Sequence, residues 1–284
     1  MDIKKYLKKF KKTFFKFWKS EDNKISLIRD VFVALLLVLI LLTALWAYTG
    51  QWFGAPMVAV ESGSMEHLNP PFGRVGTIDA GDMVLLVNVE KKTDISPYIE
   101  GDTYQYGKSG DVIVYHPDGR INEDQIIHRA MCWVKVEKIN GSTFYTIEGT
   151  DVIKQNASIP IYLPELGIKN DRNKGYEADW SHSGFITKGD NPRTNERCDQ
   201  TGGIANELVK VDWISGKARG EIPWIGTINL FFNDLFSGEE STLQYVHDDS
   251  KICLLTLIII LVSIPVILDL YSYLQSKKKE ENQK

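Results

Sequence analysis

The feature that most constrains this chain is a long apolar run near its start. Residues 31–48 read VFVALLLVLILLTALWAY, and no charged residue lies between Asp30 and Glu61. A helix of roughly 20 apolar residues is long enough to cross the hydrocarbon core of a bilayer. The apolar core of a cleaved signal peptide is shorter, about 7 to 15 residues, so we predict a permanent transmembrane helix over residues 30–50.

A second apolar run lies near the other end of the chain. Residues 252–268 read ICLLTLIIILVSIPVIL, which is close to the lower limit of about 17 residues for a span. A buried helix is the alternative, but Lys251 precedes the run and three lysines follow it at residues 277–279. We therefore predict a second transmembrane helix over residues 252–274 and a short tail over residues 275–284.

Lysines lie outside both predicted spans. The segment of residues 1–29 is rich in lysine, and so is the tail after the second run. Because positively charged flanks stay in the cytoplasm, we expect both termini to be cytoplasmic in a multi-pass protein of the cell membrane, with the intervening chain on the outer face. Membrane orientation explains these lysines better than nucleic acid does, so we expect no nucleic-acid partner.

The chain between the spans has the pattern of a mainly β domain. With 43% hydrophobic and 25% charged residues, the protein is able to form a globular core. We assign residues 51–237 to an external catalytic domain with a polar excursion at residues 140–182, and residues 238–251 to a linker. No long amphipathic helix separates the strand-like runs, so the pattern does not indicate a βαβ fold. The runs are MVAVE, DMVLLVNV, DVIVYHP, QIIHRAMCWVKVEKI, TFYTIEG, GFITKGD and ELVKVDWI.

A serine pair follows the first span in the sequence VESGSMEHLNP. A serine hydroxyl is a weak nucleophile until a base accepts its proton, and the reaction needs donors aimed at the developing oxyanion. Gly63 allows a tight turn beside Ser64, and His128 in the strand-like run IIHR is a candidate base. A plain turn and a structural histidine are the alternatives. The histidines that compete for a catalytic role are His67, His116 and His182.

Several short blocks of this sequence resemble a known family when they are taken in order. The blocks SGSME, GDMVLL, GDVIVYHP, IIHR, ITKGDNP, DQ and GKARGEIPWIGTI are similar to those of type I signal peptidases, especially the endoplasmic-reticulum and archaeal branch. The resemblance covers most of residues 54–228. In the bacterial branch a lysine stands where this chain has His128. The resemblance implies a signal-peptidase-like, β-rich catalytic domain anchored by transmembrane helices at both ends.

The same resemblance implies roles for individual residues. Ser64 would attack the scissile carbonyl and His128 would take its proton, while Ser62 and the Ser64 N–H would hold the oxyanion. Asp190 matches the first acid of the family block and is expected to have a supporting role.

The position of the second acid is open, because the segment TKGDNPRTNERCDQ is longer than the family pattern. Asp199 keeps the following glutamine, whereas Glu196 keeps the spacing. We select Asp199 as the partner of His128, since a loop absorbs extra residues easily, and we keep Glu196 as the alternative acid.

The resulting functional prediction is a membrane-bound serine endopeptidase. It would cleave amino-terminal signal peptides from exported preproteins at small-x-small sites. Its partners would be these preproteins and the lipid bilayer, with association with export machinery left open. An extended substrate would lie as an added strand between PMVAVES and GDVIVYH, although the sequence does not identify the substrate-binding residues. The alternative is a non-catalytic, membrane-tethered β-domain that serves as a binding or assembly module through residues 140–182.

The sequence gives no reason to expect a metal or another cofactor. The histidines and cysteines lack the paired spacing of metal ligands, so we predict catalysis without a cofactor. Cys132 and Cys198 fall in the external domain, where a disulfide is permitted, but spacing alone does not establish their pairing.

Overall fold

The structure, a computed structural model, describes residues 17–19, 22–52, 54–237 and 241–281. The chain divides into two compact units, Met1–Gly54 and Ala55–Lys284. Part of the lysine-rich first segment, residues 1–16, lies outside the described residues.

The first unit contains a long apolar helix, α1, over Asn23–Thr49. It begins where the Asp22 side chain accepts hydrogen bonds from the backbone N–H groups of Lys24 and Ile25, and it ends at Gly50, whose φ of 69° is left-handed. Such a cap satisfies helix-end N–H groups that have no partner within the helix. The helix begins before the predicted span, and it is long and apolar enough to cross a membrane.

The second unit is built on a large antiparallel sheet, which confirms the prediction of a mainly β domain. The strand order is β1-β2-β10-β5-β6-β7-β8, with β9 also paired to β6, while β3 and β4 form a separate hairpin. Between β9 and β10 lies only one short α-helix, α2 (Asp199–Gly202). The strands are β1 (Met57–Ala59), β2 (Met83–Val87), β3 (Tyr104–Gln105), β4 (Lys108–Ser109), β5 (Val112–Tyr115), β6 (Ile126–Ile139), β7 (Ser142–Ile147), β8 (Gln155–Asn156), β9 (Gly184–Lys188) and β10 (Ile214–Ile222).

One predicted strand was placed wrongly. In the run ELVKVDWI, Val209 makes an isolated bridge with Phe185, and Val211–Trp213 forms a 3-10 turn. The strand begins only at Ile214, where the run ends. Its sequence, ISGKARGEI, alternates in polarity, but glycine and alanine occupy the inner apolar positions and carry little hydrophobic signal. Its pairing with β2 on one side and β5 on the other fixes it as a strand.

Apolar side chains cover both faces of the central strands. One buried cluster contains Ile113, Tyr115, Ala130 and Phe185, and a second, on the other face of β5, contains Val112 and Val114 together with residues that precede β2. All four residues of β5 are buried, which makes the strand a rigid base for side chains that project from it and from β6.

The predicted excursion at residues 140–182 contributes to the core. It begins with a tight turn at Asn140 and Gly141, and β7 follows and pairs with β6. Farther along, Ile161, Leu166 and Trp180 are buried in one cluster with the free thiols of Cys132 and Cys198. Burial raises the pKa of both thiols, that of Cys198 to about 11.

Two helices follow the sheet. Helix α3 (Gly226–Ser237) buries Leu230 against Ala80 and Val246. Helix α4 (Asp248–Glu281) is the second helix that is long and apolar enough to cross a membrane. Because α4 begins at Asp248, it includes residues 248–251, which the sequence analysis placed in the linker.

Candidate active site

A histidine and an aspartate meet in the interior of the second unit. His128 lies on β6 and Asp199 is the first residue of α2. The Nδ1 atom of His128 is 2.8 Å from Oδ1 and 2.7 Å from Oδ2 of Asp199. The two residues are 2% and 0% exposed, respectively. Since a carboxylate only accepts hydrogen bonds, Nδ1 is the donor, and the corresponding tautomer of imidazole has its lone pair on Nε2.

Tyr115 supplies a second donor to the same carboxylate. Its hydroxyl donates to Asp199 Oδ2 at 2.7 Å and accepts a hydrogen bond from Thr187 Oγ1 at 3.1 Å. Burial, together with the charge of Asp199, raises the pKa of Tyr115 well above its usual value, so the phenol stays protonated and keeps donating. A buried carboxylate needs such partners because it has lost its hydration.

Tyr115 was not among the predicted site residues, although the strand pattern contains a signal for it. Ile113 lies opposite His128 in the β5–β6 ladder, and Tyr115 is two residues farther along β5. Alternation therefore places Tyr115 on the same face of the sheet as His128. Identifying Tyr115 as a site residue requires the register between β5 and β6, which local sequence patterns do not fix.

The two serines lie at the wall of the cavity that His128 also lines. Ser62 Oγ donates to Ser64 Oγ over 3.4 Å. Ser62, Ser64 and His128 all line one cavity of about 580 Å³. The fold thus brings together a pair of hydroxyl groups and an imidazole that is oriented by a buried carboxylate.

A neighbouring loop holds the serine turn by its backbone. Asn191 Nδ2 donates to the carbonyl of Gly63 at 2.7 Å, and the Asn191 N–H donates to the carbonyl of Ser64 at 2.9 Å. Gly189 allows this approach, because a Cβ atom there would lie 2.6 Å from the Ser64 carbonyl oxygen. These two residues were not selected as site residues, although both belong to the block ITKGDNP.

Asp190 lies in a different set of contacts from Asp199. Its carboxylate pairs with Arg129, with Nη2 at 2.5 Å and Nε at 3.0 Å, and His67 Nε2 and Lys108 Nζ each lie 3.5 Å away. Burial alone would raise the pKa of Asp190, but the hydrogen-bonded Arg129 guanidinium, together with the nearby His67 and Lys108, outweighs burial and holds the pKa below the usual range. The contacts of Asp190 join the loop after β9 to β6 and to the β3–β4 hairpin.

Glu196, the alternative acid, lies at the surface. Its side chain is 78% exposed and pairs with Lys169 Nζ at 2.5 Å, which lowers the pKa of Glu196. The structure therefore brings Asp199, and not Glu196, to His128.

The competing histidines have other neighbours. His67 faces Asp190, His116 Nε2 is 3.2 Å from Gln125, and His182 Nε2 is 3.6 Å from Glu207. Within the part of the chain that the structure describes, no group of three or more histidine, cysteine or acidic side chains is arranged to hold a metal ion.

The cavity matches the predicted substrate groove in part. β1 lines the cavity and is the end strand of the sheet, paired with β2. β5 contributes Val114 to the lining, but β10 and β6 occupy both edges of β5, so its backbone is closed to an added strand. Residues 124–128 also line the cavity, at the start of β6, which pairs with β9 only from Arg129 onward.

No protein-family model matches this chain, and no curated protein matches it at a significant level. The chemistry of the site is therefore inferred from its own residues. A serine hydroxyl, an imidazole and a carboxylate in this order are the parts needed for acyl transfer through a covalent intermediate.

Proposed function

We propose that this protein is a membrane-bound serine endopeptidase that removes amino-terminal signal peptides from exported preproteins at small-x-small sites. The observation that carries the proposal is the cavity that Ser64 shares with His128, whose Nδ1 is held 2.7 Å from Asp199. The ordered sequence blocks that resemble type I signal peptidases support the same reaction.

Each residue of the site has a defined task in this reaction. Ser64 Oγ attacks the scissile carbonyl as His128 Nε2 accepts its proton, and the Ser64 N–H and the Ser62 hydroxyl stabilise the oxyanion. His128 then gives the proton to the departing amine, and the remaining acyl-enzyme is hydrolysed by water that His128 activates. Asp199 keeps the imidazole in the correct tautomer and stabilises its protonated form.

The open edge of β1 suits an extended peptide substrate. A substrate strand added there forms backbone hydrogen bonds, and its alternate side chains point into the cavity between β1 and residues 124–128.

A membrane location suits this substrate class. A signal peptide has an apolar segment that resides in the bilayer and a cleavage site just beyond it. Helices α1 and α4 are long and apolar enough to span, and α3 exposes Phe231, Phe232, Leu235 and Phe236. We assign the catalytic domain to the outer face of the membrane and both termini to the cytoplasm because of the flanking lysines.

Cleavage of a preprotein by the full-length protein in detergent tests the proposal. Ser64→Ala and His128→Ala are each expected to reduce kcat by at least about 10³-fold, because neither residue of such a unit works alone. Ser142→Ala, at an exposed end of β7, serves as the matched control and is expected to cleave normally.

A serine-directed acylating probe adds a second measurement. The probe is expected to label Ser64 in the unmodified protein and in the control variant, but not in Ser64→Ala. Normal preprotein cleavage by both active-site variants would refute the proposal. Failure of labelling, together with a crosslinked partner on residues 140–182, would instead favour the binding module.

A further inference from the structure

We infer that His247 and Glu66 form a positioning pair through which the C-terminal helix α4 holds the serine turn in its reactive geometry. This inference rests on the proposed function, because the role of Ser64 as nucleophile is itself proposed. It gives α4 a part in preparing the site as well as in anchoring the protein.

The first observation is the contact between Glu66 and the turn. A Cβ atom on Gly63 would lie 2.7 Å from Glu66 Oε1, so the carboxylate rests directly against the residue between the two serines. The Glu66 N–H also donates to the Gly63 carbonyl at 3.2 Å. A displacement of the Glu66 side chain therefore leaves an opening beside the turn that carries Ser64.

The second observation is the partner of that carboxylate. His247 Nε2 lies 2.8 Å from Glu66 Oε1, the same oxygen that faces Gly63. His247 directly precedes α4, which begins at Asp248. One short series of contacts thus runs from the start of α4 through a single carboxylate oxygen to the serine turn.

A separate contact fixes the same two segments to each other. The Asp249 carboxylate accepts hydrogen bonds from the Gly73 N–H at 3.1 Å and from Arg74 Nε at 3.3 Å. Arg74 also pairs with the buried Asp79 at 3.0 Å. The start of α4 thus contacts the chain after Ser64 at two places, at Glu66 and at Gly73–Arg74. Two contacts restrain both the position and the orientation of that chain relative to α4.

The pair adds a side-chain contact to the hydrogen bonds that Asn191 makes with the turn. Asn191 contacts the Gly63 and Ser64 carbonyl groups, whereas the Glu66 carboxylate lies where a Cβ atom on Gly63 would point. A nucleophile must keep its position to within fractions of an ångström, and a misplacement of about 1 Å reduces the rate on the order of 10²-fold. The two sets of contacts together provide this restraint.

The test compares His247→Ala, His247→Gln and Asp248→Ala in the full-length protein. Glutamine keeps a donor for Glu66, and Asp248, a matched neighbour, is 94% exposed with Lys251 at 3.6 Å. Two rates are measured: steady-state cleavage of a preprotein, and acylation of Ser64 by a small activated-ester probe that does not need the substrate groove.

For His247→Ala we expect kcat and the acylation rate to fall together, on the order of 10-fold, with KM unchanged. His247→Gln should recover most of both rates, and Asp248→Ala should match the unmodified protein. Adding Glu66→Ala to His247→Ala should cause little further loss in either rate, because the two residues act as one unit.

Thermal unfolding identifies a variant that fails to fold. If His247→Ala does not fold, the milder Glu66→Asp variant decides the question, because its shorter side chain draws the carboxylate away from Gly63 and should lower both rates; unchanged rates in folded Glu66→Asp would contradict the inference. If folded His247→Ala is acylated at the normal rate, the inference is wrong while the proposed function stands. If the unmodified protein neither cleaves nor is acylated at Ser64, the proposed function fails and the inference fails with it.

Discussion

The hydroxyl of Tyr115 donates a 2.7 Å hydrogen bond to Asp199 Oδ2, on the carboxylate that also binds His128. Thr187 Oγ1 in turn donates to the Tyr115 oxygen, and Gln200 Nε2 donates to Thr187 Oγ1. The acid of the proposed triad is therefore the end of a buried hydrogen-bonded series. Such a series fixes the orientation of the carboxylate as well as its position.

Tyr115→Phe removes one of the two donors to Asp199. We expect the free energy of unfolding to fall by about 1–3 kcal/mol, because a buried acceptor loses its partner. Cleavage should fall about 10-fold, since the carboxylate orients the imidazole less firmly. Denaturant unfolding and kcat/KM measure the two effects, with Tyr104→Phe at an exposed position as the control. Unchanged stability and activity in Tyr115→Phe would contradict the role given to this hydroxyl.

The three acids are expected to respond differently to substitution. Asp199→Asn should fold but lose on the order of 10⁴-fold in kcat, the size of effect known when a triad acid is replaced. Asp190→Asn should mainly destabilise the protein, by about 3–5 kcal/mol, because Arg129 would remain buried without a counterion. Glu196→Gln should be close to the unmodified protein in both respects.

Parallel cleavage assays and thermal unfolding distinguish these three outcomes. Loss of activity in Glu196→Gln alone would show that Glu196, and not Asp199, is the essential acid.

Gly189→Ala is expected to disturb the serine turn without altering any catalytic side chain. The added Cβ would lie 2.6 Å from the Ser64 carbonyl oxygen and 2.5 Å from Asn195 Cγ, so one of them must move. Gly202→Ala, whose Cβ would enter open space, is the matched control. We expect acylation of Ser64 to slow on the order of 10²-fold in Gly189→Ala alone. Equal rates in the two variants would count against close packing of this loop on the turn.

A buried acid, Asp82, and a partly buried one, Glu221, predict a pH dependence of stability. Burial raises the pKa of Asp82 from 3.8 to about 7, and burial together with the charges of Asp82 and Asp79 raises that of Glu221 from 4.5 to about 7. A raised pKa favours the protonated form in the folded state, so this stabilisation is present below about pH 4 and is lost as the pH rises through about 7. Asp190, with its lowered pKa, acts in the opposite sense and loses its contribution only in acid.

Thermal unfolding between pH 4 and 8 checks this expectation. The free energy of unfolding should fall with rising pH, by at most about 1.4 kcal/mol per pH unit for each group. Asp82→Asn should flatten the dependence of the unfolding free energy on pH, because asparagine does not titrate. The substitution also removes one of the two oxygen acceptors that receive hydrogen bonds from the N–H groups of Trp224 and Asp79. A slope that Asp82→Asn leaves unchanged would exclude Asp82 as its source.

The exposed aromatic face of α3 predicts contact with lipid. Its only acid, Asp234, accepts hydrogen bonds from Ser241, Thr242 and Leu243, which leaves an apolar surface that includes Phe232 and Phe236. In proteoliposomes, Phe232→Ser/Phe236→Ser should slow cleavage of a membrane-embedded preprotein several-fold without changing cleavage of a short soluble peptide. Tyr104→Ser is the exposed control. Equal slowing on both substrates would argue against a lipid contact.

Much of the architecture was predictable from local patterns. The two apolar helices and the mainly β character follow from runs of apolar residues and from alternation, which are properties of adjacent residues. β10 was missed because the inner apolar positions of ISGKARGEI hold only glycine and alanine, and its two neighbours fix it as a strand. The expected pairing of a substrate with β5 was wrong for a related reason, since β10 occupies the edge of β5 that a substrate would need.

The sequence by itself determined which side chains are available for chemistry: a serine pair, a histidine in a strand and three candidate acids. It also determined the two membrane-length helices, because the length and polarity of a segment are local properties. Only the tertiary structure decided that Asp199 meets His128 across 71 positions of chain, that Tyr115 joins them, and that His247 reaches Glu66. These choices depend on strand register and on the packing of distant segments. Burial then makes the hydrogen bonds of Asp199 specific, because an unpaired polar group in the interior is costly.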